Sequence, residues 1–210
     1  MNINLSNKKI GILGGSFNPA HVGHLYISSE IIDSLKLDLV LWLVSPHNPL
    51  KNKDDLLDYK QRFGSAKEIA SLNKKIIVLD YELKNNLKYT YQTLLHIKNA
   101  HPTTSFCWLM GADCLAQFDK WQNWQEIYNL VPVVVFKRRG FAVSSLKNEA
   151  SMFFKKHRKN LREFNKNFAQ KHNQKVAQEL PLCFSANTRL INVSATEIRN
   201  KNYHKKNASF

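Results

Sequence analysis

The chain has 210 residues, 43% of them apolar, and 31 Lys+Arg against 16 Asp+Glu give a formal net charge of +15. That length and apolar content are enough for one substantial core, since domains of this size bury ~70% of the surface of the unfolded chain. No apolar run is long enough to cross a bilayer and the first ten residues lack a signal-peptide core, so no membrane partner and a cytoplasmic location are expected. Cys107, Cys114 and Cys183 are odd in number and without metal-type spacing, which points to free thiols. The basic excess suits an anionic partner. Lysines accompany asparagines throughout, as in a general compositional drift, and without an aromatic-basic RNA motif a small anionic substrate explains part of the excess as well as a nucleic acid does.

Residues 8–13 alternate like a short buried strand, and residues 25–35 repeat apolar side chains at helical spacing. Between them GGSFNPAHVGH, residues 14–24, is predicted to be a strand-to-helix loop, the place where open α/β sheets bind ligands. Gly14 and Gly15 are expected to adopt backbone angles closed to other residues and to leave no Cβ before a ligand. Their amides, with those of Ser16 and Phe17, predict an anion-binding concavity at the positive end of the following helix. His21 and His24, three apart, are expected on one side of its first turn. The spacing is neither that of the dinucleotide fingerprint nor that of the P-loop. Two histidines with no cysteine nearby are too few for a zinc site, so no protein metal ligand is assigned. The structural alternative is a glycine turn carrying two surface histidines.

Residues 37–44 form an unbroken apolar run, predicted to be a central parallel strand, and the loop SPHNPLKNKDD after it falls on the same sheet edge. A helix is expected over 55–71, a strand over 76–79 and a helix over 89–100. A strand over 104–110 stops at Gly111, where Asp113 offers a carboxylate to hydroxyl groups. A helical segment over 118–127 sets Trp121 and Trp124 three apart as an aromatic platform. A strand over 131–136 ends in Lys137, Arg138 and Arg139. Residues 146–177 read as one basic amphipathic helix packed on the sheet. A last strand is expected over 189–193. After it Ser194 and Glu197 can form a capping box, a sufficient structural role for that stretch, which leaves the Thr196 hydroxyl and the Arg199 guanidinium to a phosphate chain. One domain over 1–210 is expected.

The two phosphate-type stretches, GGSFNPAHVGH and VSATEIR, resemble those of the nucleotidyltransferase superfamily. The middle of the chain, KYTYQTL at 88–94, FCWLMGADCLAQFDKWQNWQEI at 106–127 and VVFKRRGF at 134–141, is similar to the nicotinate-nucleotide adenylyltransferases. The resemblance implies an α/β fold with a Rossmann-like open parallel sheet and helices on both faces. It implies adenylyl transfer from ATP, with Mg2+, to nicotinate mononucleotide, giving the deamido dinucleotide and pyrophosphate. Through it His21 and His24 would hold the ATP phosphates and stabilise the transition state. Gly14, Gly15, Ser16 and Phe17 would supply backbone contacts, and Gly111 and Asp113 would meet the adenosine ribose. Ser194, Thr196 and Arg199 would bind the outer phosphates, Thr90 and Trp121 the nicotinate ring and carboxylate, and Lys51 and Arg138 further phosphate oxygens. The chain departs from the family pattern at Asn18, where aspartate is common, at the SPHNPLK loop, at Gln122 and at Arg139.

The chemistry agrees with the residue types. A phosphate monoester, with its second pKa at about 6, is largely ionised near neutrality and attacks without a general base. The task left is alignment and charge stabilisation, which imidazoles, amides and a guanidinium can perform. The alternatives are transfer to nicotinamide mononucleotide or phosphopantetheine, or a noncatalytic nucleotide- or RNA-binding protein on the same fold. Self-association is a further possibility that the sequence leaves open.

Overall fold

The computed structural model describes residues 3–46, 56–137, 141–170 and 183–186. Through residue 100 the elements are β1 (Lys9–Gly15), α1 (Val22–Leu35), β2 (Leu39–Val44), α2 (Tyr59–Ala70), β3 (Ile76–Leu79), α3 (Tyr81–Lys84) and α4 (Thr90–Ala100). They continue with β4 (Ser105–Gly111), α5 (Ala112–Leu115), α6 (Trp124–Leu130), β5 (Val133–Phe136), α7 (Glu149–His157), β6 (Arg158–Lys159), α8 (Leu161–Gln170) and β7 (Cys183–Ala186). The strands make one sheet in the order β3, β2, β1, β4, β5, β7, β6, with every pair parallel. The chain runs outward from β1 through β2 to β3 and returns to β4 on the other side of β1. The strand order therefore reverses between β1 and β4, and the crevice beyond their carboxyl ends is where such sheets take ligands.

Alternate strand residues face opposite layers, and both layers are apolar, which explains why the central strands read as continuous hydrophobic runs. Val40, Trp42, Val44 and Leu109 face Ile27 and Ile31 of α1, Ala66 of α2, and Phe164 and Phe168 of α8. Leu41, Leu43, Trp108 and Met110 face Leu94 and Ile97 of α4, Ile127 of α6 and Phe154 of α7. The Rossmann-like sheet with helices on both faces is what the sequence predicts. Among the described residues no helix is long and apolar enough to cross a membrane.

Three expectations change. Gly14 and Gly15 close β1 rather than opening the loop, and neither takes a left-handed φ. The left-handed backbone lies instead at Phe17, with φ 45°. The continuous helix expected over 146–177 is broken at β6. The reason is its apolar residues: Phe154 belongs to one layer and Phe164 and Phe168 to the other. The chain has to cross the sheet edge between them, and Arg158 and Lys159 make that crossing by pairing with Cys183 and Phe184. The helix expected over 118–127 is a single tight turn at Phe118–Lys120 followed by α6, with Trp121 between them. The short α3 and the strand β7 were not expected. The strand and helix expected over 189–200 lie outside the described residues.

Candidate active site

The carboxyl ends of β1, β2 and β4 converge on a cavity of about 220 Å³. Gly14, Gly15 and Ser16 line it from β1, Ser45 from β2, Asp113 and Cys114 from α5, and Thr90 from the start of α4, while Trp121 forms part of its wall. Six of the expected residues beyond the first two glycines thus take three positions. Ser16, Thr90, Asp113 and Trp121 join Gly14 and Gly15 on the cavity, Gly111 is the buried last residue of β4 at the cap of α5, and Phe17 is 3% exposed behind the loop. Lys51, Arg138, Ser194, Thr196 and Arg199 lie outside the described residues.

The two histidines are brought together as expected, their rings 4.0 Å apart, but they do not line the cavity. They build the start of α1. His21 is its N-cap, with Nδ1 accepting the Gly23 amide at 3.1 Å, and His24 Nδ1 accepts the His21 amide at 3.2 Å. This is a capping box made by imidazoles in place of a hydroxyl and a carboxylate. Because each Nδ1 is an acceptor, a neutral ring carries its hydrogen on Nε2, as a donor. Phe17 supports the pair, lying 5.0 Å from the His24 ring and stacked on Trp42 at 5.0 Å.

Gly14 has a different reason from the one its sequence context suggests. A Cβ there would stand 2.3 Å from Trp108 Cη2, so the space belongs to an indole and not to a ligand. At Gly15 a Cβ would meet only Phe17, at an ordinary 3.7 Å. Asn18 accepts the Leu57 amide at 2.9 Å through Oδ1, a bond that a carboxylate at this position would also make.

Across the cavity, the N-cap of α4, Tyr89, makes no side-chain capping bond, and Lys88, Tyr89 and Thr90 line the wall at this helix start. Phe118 and Trp108 meet the Trp121 ring edge-on at 5.0 and 6.2 Å and fix its plane. Trp124 is 8% exposed in the core, so the expected two-tryptophan platform reduces to Trp121. The Trp121 Nε1 and Ser16 Oγ atoms have no hydrogen-bond partner among the described residues. Sequence reasoning missed Glu82, Lys88, Gln117 and Lys120 on this wall. Lys88 and Lys120 flank expected site residues and were legible by adjacency, whereas Glu82 sits on α3, whose four residues give no periodic signal. Glu82 is 7% exposed and accepts the Thr93 hydroxyl at 3.1 Å, and burial raises its pKa above the ordinary carboxylate value. Among the described residues no group of three or more His, Cys, Asp or Glu side chains could hold a metal ion.

Residues 12–201 match the family described as cytidylyltransferase-like. A protein of Clostridium novyi named probable nicotinate-nucleotide adenylyltransferase is 35% identical over 204 residues, 97% of this chain and 91% of its own. One of a Ruegeria species with the same name is 36% identical, covering 91% of this chain and 96% of its own. The solved structure of Plasmodium falciparum nicotinic acid mononucleotide adenylyltransferase complexed with NaAD superposes with a TM-score of 0.65 at 18% identity. That superposition covers 92% of this chain and 83% of the other, and it is a likeness of fold.

Proposed function

The chain belongs to the cytidylyltransferase-like family, among its nicotinate-nucleotide adenylyltransferases, and on that premise we propose that it transfers the adenylyl group of ATP to nicotinate mononucleotide, releasing pyrophosphate. The observation that carries the reading is the cavity at the strand-order reversal, which has the end of β1, followed by the imidazole-capped start of α1, at one side and the start of α4 at the other. The first side suits a phosphate chain and the second a carboxylate.

In this reading the Nε2–H groups of His21 and His24 donate to the α-phosphate as charge builds on its oxygens, and the end of β1 supplies backbone contacts. Asp113 takes the adenosine ribose at the end of β4. The acceptor ring lies against Trp121, and its carboxylate meets the amides of Thr90 and its neighbours at the positive end of α4. A carboxamide offers one acceptor oxygen and no charge where the carboxylate offers two oxygens and a negative charge, which favours the acid. Lys51, Arg138, Ser194, Thr196 and Arg199 are proposed phosphate contacts on the family pattern. Magnesium enters with ATP as part of the nucleotide substrate, on the family pattern. The acceptor phosphate attacks in its ionised form, and the residues of the site align it and stabilise charge without removing a proton.

The test is pyrophosphate release by purified protein given ATP, magnesium and one acceptor at a time. Nicotinate mononucleotide is expected to be preferred over nicotinamide mononucleotide, with no turnover of phosphopantetheine. Turnover of phosphopantetheine alone, or salt-sensitive RNA binding with no turnover of any acceptor, would overturn the proposal.

A further inference from the structure

Arg62 is 2% exposed, yet no carboxylate of the described residues lies within salt-bridge distance of it, Asp58 acting only through its charge. Its guanidinium is spent on four backbone carbonyls. Nη1 donates to Ser16 and Ser45, each at 2.7 Å, Nη2 to Pro46 at 2.9 Å and Nε to Leu57 at 3.0 Å. Ser16 and Ser45 line the cavity and Arg62 does not, so the guanidinium stands behind the wall and holds the ends of β1 and β2 to α2. Two more tethers come from the same side. The Ser65 hydroxyl, itself donating to the Arg62 carbonyl at 3.0 Å, accepts the Ala20 amide at 3.3 Å, and Asn18 Oδ1 accepts the Leu57 amide at 2.9 Å. The loop is thus gripped at residues 16, 18 and 20.

The grip at Ser16 has a stereochemical consequence. In a planar trans peptide the C=O and the next N–H point in opposite directions. Turning the Ser16 carbonyl onto Arg62 therefore directs the Phe17 N–H away from α2, at the residue whose φ of 45° is unfavourable for a bulky side chain. We infer that Arg62 and Ser65 are positioning residues for the transfer reaction: they hold the Ser16–Phe17 peptide so that its amide faces the nucleotide phosphates. This rests on the adenylyl-transfer reading. A lysine cannot replace the arginine, because a point ammonium does not span carbonyls arranged around a planar fork.

The experiment is steady-state kinetics of Arg62→Lys and Ser65→Ala, per mole of folded protein, with ATP and nicotinate mononucleotide varied separately. Arg62→Lys is expected to lower kcat/KM for ATP by roughly 10-fold to 100-fold, since displacements of about 1 Å cost that much in an aligned site. Ser65→Ala removes the Ala20 tether and the hydroxyl's bond to the Arg62 carbonyl but leaves the four guanidinium contacts in place, and is expected to raise KM for ATP about threefold to tenfold while KM for the acceptor holds within about twofold. A purely structural role would lower the melting temperature and leave both KM values unmoved. Unchanged ATP kinetics in folded Arg62→Lys overturn the inference. If that variant does not fold, Ser65→Ala decides by the same criterion. Absence of turnover in the unsubstituted protein would instead count against the adenylyl-transfer reading itself.

Discussion

At residue scale, Gly14 and Gly15 separate two reasons for glycine that look alike in a sequence. A methyl group at Gly14 would press on the Trp108 indole at 2.3 Å, and the indole, 2% exposed, would have to shift. Gly14→Ala is expected to cost about 1–3 kcal/mol as overpacking does, seen as a melting temperature lower by roughly 2–4 °C per kcal/mol. Gly15→Ala is expected to melt within about 0.5 kcal/mol of the parent. Equal melting of the two variants would refute the packing account. Glu82 gives a pH test. Burial raises its carboxyl pKa, outweighing the hydrogen bonds from Thr93 and Ser45 that lower it. With the folded value above the unfolded one, its stabilising contribution is full at low pH and is lost as pH rises through the raised value. Glu82→Gln stays neutral throughout, so its stability relative to the parent should climb in thermal unfolding as pH rises above the ordinary carboxylate range. A difference that does not vary with pH would show that the carboxyl is not charged at a cost.

The histidine pair belongs to the scale of the element, because the same two imidazoles cap α1 and are proposed to serve the reaction. Asparagine is an N-cap as good as any, whereas alanine at that position costs about 0.5–2 kcal/mol. His21→Asn is therefore expected to melt close to the parent and His21→Ala below it, while both lose activity by roughly 100-fold to 1,000-fold, the cost of one lost transition-state donor. Full activity in His21→Asn would reduce the imidazole to a cap. The pairing was legible from an H-x-x-H spacing at a helix start, but its Nδ1 bonds were not, since histidine is an unusual capping residue. Trp121 and Trp124 show the converse. Their spacing of three suggested one platform, and the chain instead breaks between them, sending Trp124 into the core beside Phe118 and Tyr128. Arg62 was invisible for a related reason: an arginine among polar residues on an amphipathic helix reads as solvated, and only the neighbouring segments show that it faces carbonyls.

At the scale of the molecule, parallel topology and the two-layer core followed from unbroken apolar strands alternating with helical periodicity, and the site followed from that topology. What periodicity could not supply was the route of the chain after residue 145. It registers apolar spacing but not which layer each apolar residue enters. Phe154 and Phe164 fit one helix on spacing alone and lie in opposite layers. That crossing makes a testable claim about the whole. Phe164, fully buried, packs against Phe168 and Phe184 within the layer that also contains Trp42 and α1, more than a hundred residues earlier. If the chain is one domain, Phe164→Ala should lower stability by about 3–5 kcal/mol, the cost of an aromatic deletion in a core, and should do so throughout. Far-UV circular dichroism and tryptophan fluorescence would then shift together to a lower melting temperature, because the four tryptophans all precede residue 125 and report the first part of the sheet. Fluorescence that melts at the parent temperature while the helical signal melts earlier would mean that α8 is an appended unit, and that the sheet through β5 is stable without it.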